Sequence, residues 1–183
     1  MSARALSAPR AQLPNALTIL RLALVPVFAV LLIRSDNGHS VAAAIVFGIA
    51  GVTDQVDGYL ARRWHVESRF GAVADPLADR LMIDVAVLLL WWDGRLPFLG
   101  LLVIVVRDVV LLVGAKVLQP RGLEVKVNFI GKAATWILYA SIFFVMLTAD
   151  GTTWPLVCFW VGVVLAVAAG VQYVLSARRE LRG

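Results

Sequence analysis

Cysteine, histidine and charge are all scarce in this chain, and each shortage excludes something. There is one cysteine, Cys158, so no intrachain disulfide can form. It stands in an apolar run and reads as a small residue facing lipid or core. The two histidines, His39 and His65, stand apart from any ligand constellation, which argues against a zinc site. Charged residues make up 16% of the chain, against about 25% in an average soluble domain. Internal repeats and low-complexity tracts are absent as well. A cleavable signal peptide is not expected: the first apolar run starts near Leu13, contains Arg21 and is too long for a signal core.

What remains is apolar. Hydrophobic residues are 61% of the 183 positions, and the mean hydropathy is +0.86. That composition implies an all-α integral membrane protein of one domain. Six apolar runs cover 13–33, 40–63, 75–92, 97–117, 127–148 and 154–175. Each is near the roughly 20 residues a helix needs to cross a bilayer. The connectors carry Gly, Pro and charge, as turns do. The chain therefore reads as a tail (1–12), a six-helix membrane domain (13–176) and a basic tail (177–183).

The net charge of +5 is compatible with nucleic acid or with anionic lipid. Its distribution favours lipid, because Lys and Arg flank the apolar runs. With the N-terminus in the cytosol, eleven Lys and Arg residues fall in cytosolic segments and two, Arg34 and Arg95, in outer loops. Both termini are thus predicted to be cytosolic, in a multi-pass protein of the cytoplasmic (inner) membrane.

Against this background four carboxylates stand out: Asp54, Asp57, Asp75 and Asp79. Acids beside membrane-length apolar runs are costly and usually functional. The topology puts the first pair at the cytosolic end of span two and the second at the cytosolic start of span three. The short loop 64–74 would hold the two ends together around one cavity. Spacings of i,i+3 and i,i+4 put each pair on one helix face. Oxygen-only ligands suit a hard cation, Mg²⁺ or Mn²⁺. Four acids can hold two such ions, roughly 3.5–4 Å apart in sites of this kind. Gly58 and Ala61 let a ligand approach the backbone, Arg62 is placed to meet a phosphate, and Gly71 allows close helix approach. Helix packing is the alternative use of each small residue.

The full pattern D-x2-D-G-x2-A-R-x8-G-x3-D-x3-D is met at Asp54, Asp57, Gly58, Ala61, Arg62, Gly71, Asp75 and Asp79. It resembles the signature of the CDP-alcohol phosphatidyltransferases, and the six-span layout resembles that family too. The resemblance implies CDP-diacylglycerol as donor, with Asp54, Asp57 and Asp75 on metal. Asp79 would be a further ligand and the general base, and CMP would leave. It also implies that Asp54, Gly58, Ala61, Arg62 and Gly71 line the CDP-lipid site, and that the enzyme is a homodimer.

Other charges are less decisive. Arg21 follows Asn15 and Thr18 at i,i+3 spacings; it either snorkels to the interface or serves the site, as the family's usual first-helix opening suggests. Arg80 and Asp84, at i,i+4, read as a structural ion pair. Arg107 and Asp108 lie mid-span, as a buried pair or a substrate contact. Lys126 and Lys132, with Arg121 upstream, are placed for an anionic acceptor, although a basic flank explains Lys126 and Arg121 equally well.

Two segments speak to the acceptor. Residues 70–80 (FGAVADPLADR) resemble the glycerophosphate and cardiolipin branch of the family. Residues 127–139 (VNFIGKAATWILY) resemble actinobacterial-type cardiolipin synthases, with Ala134 where phosphatidylglycerophosphate synthases usually carry a second lysine. One cation fewer fits a phosphodiester acceptor better than a dianion. The resemblance implies a cardiolipin synthase using phosphatidylglycerol, with glycerol 3-phosphate as the alternative acceptor. A carboxylate-lined ion transporter or channel is the competing class. Gln55 replaces an aromatic often found after the first acid, and nothing in the sequence explains it.

Overall fold

A computed structural model describes the backbone of residues 8–64, 71–118 and 129–180, and the side chains of 16–53, 80–114 and 129–176. The described residues form six helices: α1 (Ala8–Ile33), α2 (Val41–Trp64), α3 (Gly71–Trp92), α4 (Phe98–Leu118), α5 (Phe129–Leu147) and α6 (Trp154–Glu180). The expected all-α architecture is present. Several helices outrun their apolar runs. α1 takes in 8–12, α3 starts at Gly71 rather than Asp75, and α6 continues to Glu180. Polar ends of a membrane helix can keep their hydrogen bonds beyond the hydrocarbon, so apolarity marks the buried length and not the helix.

Among the described residues, three helices are long and apolar enough to cross a membrane, with spans Ala16–Ile33, Phe129–Leu147 and Trp154–Ser176. α2 contributes a shorter apolar stretch, Val41–Thr53, before its charged half. Large apolar side chains are exposed on every helix, among them Ile33, Val52, Trp92, Val113, Trp136 and Val164. A surface of this kind is suited to lipid.

The helices form a ring in the order α1, α2, α5, α6, α4, α3, with α3 also touching α2 and α5. The core lies between them: Phe28, Phe47, Met82, Leu90, Leu138, Ile142, Met146 and Phe159 are all buried. Phe28, Phe47 and Tyr139 stack in series, with ring centroids 5.6 and 5.0 Å apart. Burial against lipid gives little drive for association, so close backbone approach matters. A Cβ on Gly162 would fall 2.9 Å from the Leu138 side chain and 3.2 Å from its backbone N, and one on Gly100 would fall 2.4 Å from Phe159. These two glycines set the α5–α6 and α4–α6 distances.

One end of the bundle is tied. The loops after α1, α3 and α5 meet there around Arg95, whose side chain is 5% exposed. Arg95 donates to the carbonyls of Val145 (2.5 Å), Thr148 (2.8 Å) and Asn37 (3.3 Å). Its Nε lies 3.8 Å from Asp150. α3 ends in a Schellman turn: Gly94 has φ 74°, its N–H reaches Trp91, and the Arg95 N–H reaches Leu90. Ser40 caps α2 by accepting the Ala43 N–H at 3.1 Å. Its own N–H reaches Met146 at 3.0 Å.

Candidate active site

The eight motif residues sit on two helices that pack together. Asp54, Asp57, Gly58, Ala61 and Arg62 lie in the second half of α2, and Gly71 is the first residue of α3. Asp75 and Asp79 fall in the second and third turns of α3. α2 and α3 are in contact, with residues 65–70 between their ends. The side chains of the motif residues lie outside the described residues, as does Lys126.

The backbone alone carries two results. Both segments are helical through the acids, so the i,i+3 and i,i+4 pairs each share a face. The acids also lie inside their helices and not at the helix ends. Asp54 is ten residues before Trp64, the last residue of α2, roughly 15 Å along the axis. An all-oxygen donor set on two packed helices fits a pair of hard divalent cations. Among the described residues themselves, no three His, Cys, Asp or Glu side chains come together.

α1 packs on both motif helices and directs two polar residues inward. Thr18 and Arg21, one turn apart, are both fully buried, and Arg21 is among the largest side chains with no exposure at all. Neither lacks a partner. A guanidinium without exposure is not snorkelling to water, so that alternative is removed. Burying it requires hydrogen-bonded or anionic company inside the bundle.

A second charged group joins α3 to α4. Arg80 Nη1 donates to Asp108 Oδ1 at 2.6 Å, and Arg107 Nη1 donates to the same oxygen at 2.8 Å. The Asp108 side chain is 4% exposed. The expected Arg80–Asp84 pair along α3 is therefore replaced by a pair across helices. Asp84 lies within electrostatic reach of Arg80, Arg107 and Asp108, but its Oδ1 is buried without a hydrogen bond among the described residues. The alternative of a buried pair holds for Arg107 and Asp108, extended to a triad by Arg80.

At the start of α5, Lys132 is exposed and Ala134 is fully buried. The Thr135 hydroxyl donates to the Gly131 carbonyl at 3.0 Å. One neighbour of the motif was missed by sequence reasoning. The Tyr139 ring lies where a Cβ on Gly51 would be 3.1 Å away, three residues before Asp54. A glycine one turn ahead of the first acid was the available signal.

Comparison with known proteins bears on the whole arrangement. The sequence model of the family described as CDP-alcohol phosphatidyltransferase matches residues 11–169. A cardiolipin synthase (CMP-forming) of Streptomyces coelicolor is 39% identical, over 93% of this chain and 84% of the relative. A CDP-diacylglycerol–glycerol-3-phosphate 3-phosphatidyltransferase of Bacillus subtilis is 32% identical, over 88% and 92%. A probable phosphatidylglycerophosphate synthase of Mycobacterium tuberculosis is 33% identical, over 94% and 85%. With the helical placement of all eight motif positions and a family match across most of its length, this chain belongs to the CDP-alcohol phosphatidyltransferase family.

Proposed function

We propose that the protein is a CMP-forming cardiolipin synthase, which transfers a phosphatidyl group from CDP-diacylglycerol to phosphatidylglycerol. The observation that carries the acceptor half is the buried Ala134. Its position faces the bundle interior, so a lysine there would direct its cation inward. This chain offers a methyl group instead, which suits a singly charged phosphodiester better than dianionic glycerol 3-phosphate. The Streptomyces coelicolor relative points the same way. The second reading, a phosphatidylglycerophosphate synthase, is favoured by the names of the Bacillus subtilis and Mycobacterium tuberculosis relatives. Family membership argues against a transporter or channel.

In this reading Asp79 takes the proton of the acceptor hydroxyl, whose oxygen attacks the lipid-side phosphorus of the donor. A P–O bond forms to the acceptor, the bond to CMP breaks, and CMP carries away the electron pair. Gly58 and Ala61 admit the cytidine diphosphate against α2, Gly71 lets α3 approach, and Arg62 holds a phosphate oxygen. Asp54, Asp57, Asp75 and Asp79 would hold two Mg²⁺ or Mn²⁺ ions, which would neutralise the diphosphate and stabilise the leaving phosphate. Arg21, Arg107, Lys126 and Lys132 are assigned to the acceptor. The full burial of Arg21 supports it more strongly than the exposure of Lys132 supports that residue.

The six helices would all span the cytoplasmic membrane, with both termini and the acid-bearing end in the cytosol and the enzyme a homodimer. The excess of Lys and Arg at that end supports the orientation. The deciding experiment supplies the purified protein with CDP-diacylglycerol, Mg²⁺ or Mn²⁺, and each acceptor separately. Phosphatidylglycerol should support CMP release. Release with glycerol 3-phosphate alone would overturn the assignment.

A further inference from the structure

A groove between α4 and α6 lies apart from the motif helices α2 and α3 in its lining. Its volume is about 510 Å³ and it is open along one side. Val103, Val106 and Val110 wall it on α4, and Val167, Val171 and Val174 on α6. Those spacings place each set on one helix face. Leu102, Leu111 and Leu175 complete an apolar lining.

Among the described residues a single charged one lines the groove, Arg107. Its stem passes Gly170, where a Cβ would come within 3.9 Å of Arg107 Cγ. Its Nη1 shares Asp108 Oδ1 with Arg80, so one carboxylate is divided between two guanidiniums. Its Nε is buried and makes no hydrogen bond among the described residues. A guanidinium has five N–H donors and pairs well with phosphate oxygens. An apolar slot with one cation in its wall matches an anionic amphiphile: a chain along the valines and a phosphate at the arginine. The volume lies within the about 300–1,000 Å³ of small-molecule sites.

We propose that the α4–α6 groove holds one acyl chain of the lipid acceptor, with Arg107 drawing its phosphodiester toward α3. This rests on the reading of the acceptor as phosphatidylglycerol. Geometry favours acceptor over donor. The donor motif lies on α2 and α3, and α2 touches neither α4 nor α6 among the described residues. The groove instead reaches α3 through Arg107, Asp108 and Arg80, next to Asp79. A glycerol 3-phosphate acceptor has no chain and no use for such a slot.

The test uses the full chain in lipid nanodiscs, with CMP release followed against each substrate in turn. Val171→Trp and Val110→Trp fill the groove and should raise the KM for phosphatidylglycerol about tenfold or more, with the KM for CDP-diacylglycerol held. Val171→Leu should move it less in the same direction. Phosphatidylglycerol carrying a photoreactive acyl chain should label α4 and α6 peptides of the unaltered protein, which decides the matter if a tryptophan variant fails to fold. A wild type that uses phosphatidylglycerol, with variants that keep its KM, overturns the groove and leaves the acceptor intact. A wild type that uses only glycerol 3-phosphate overturns the acceptor reading and the groove with it. A rise in the KM for CDP-diacylglycerol instead would assign the slot to the donor and sink the proposal. So would a change in oligomeric mass, which would make the groove an interface between copies.

Discussion

Three arginines separate what a residue's surroundings reveal from what its position reveals. Arg21 stood between snorkelling and a site role until its burial removed the first. Arg80 was matched to Asp84 by helical spacing, yet reaches Asp108 on another helix. Spacing along one helix cannot weigh a partner whose distance depends on how two helices pack. Arg95 counted in the sequence only as a charge on one side, because its partners are mostly backbone carbonyls, which every residue carries. Two predictions belong here. Asp79→Asn should abolish CMP release while the protein still inserts and folds; normal turnover in that variant would remove Asp79 as the base. Asp108→Asn should cost about 3–5 kcal/mol, because two mostly buried guanidiniums lose their shared counter-ion. Thermal unfolding in detergent would read that loss.

At the scale of helices, the hydropathy runs located every element, and the structure moved mainly their ends. The acids show why this matters. Read as span ends, Asp75 and Asp79 would sit at a helix start; they occupy its second and third turns instead. What holds the helices together was less legible, because it lies in pairs of residues from different helices. Gly162 lacks the Cβ that would meet Leu138, and nothing local to residue 162 announces that. Gly162→Val should therefore separate α5 from α6 and lower the unfolding temperature by several degrees, about 1–3 kcal/mol for an overpacked contact. Gly94→Ala has open space for its methyl but a φ of 74°. It should cost about 1 kcal/mol through backbone strain alone, visible in the same melt.

For the molecule as a whole, the motif made the donor half of the reaction readable, since eight residue types at fixed spacing leave few chemistries. The acceptor half was not readable to the same degree. The residues proposed for it are spread over α1, α4 and α5, outside any single motif. Orientation is open to a direct measurement. With Cys158 replaced by alanine, a single cysteine introduced at Arg182 should react with an impermeant thiol reagent only from the cytosolic side of inner-membrane vesicles. Labelling from the other side would invert the topology.

The Arg95 knot gives the bundle a fixed pivot. Helices pinned at one end swing like levers, and displacement grows with distance from the pin. Asp54 lies 13 residues along α2 from its pinned start at Val41, roughly 20 Å of helix. A small angular slack at the pin becomes an ångström-scale misplacement of a carboxylate, enough to slow a reaction that depends on alignment. Arg95→Ala should thus lower turnover as well as melting temperature, from a site that touches no substrate. On the proposed site, loops at the far end of the molecule would then set the precision of the chemistry at the near one.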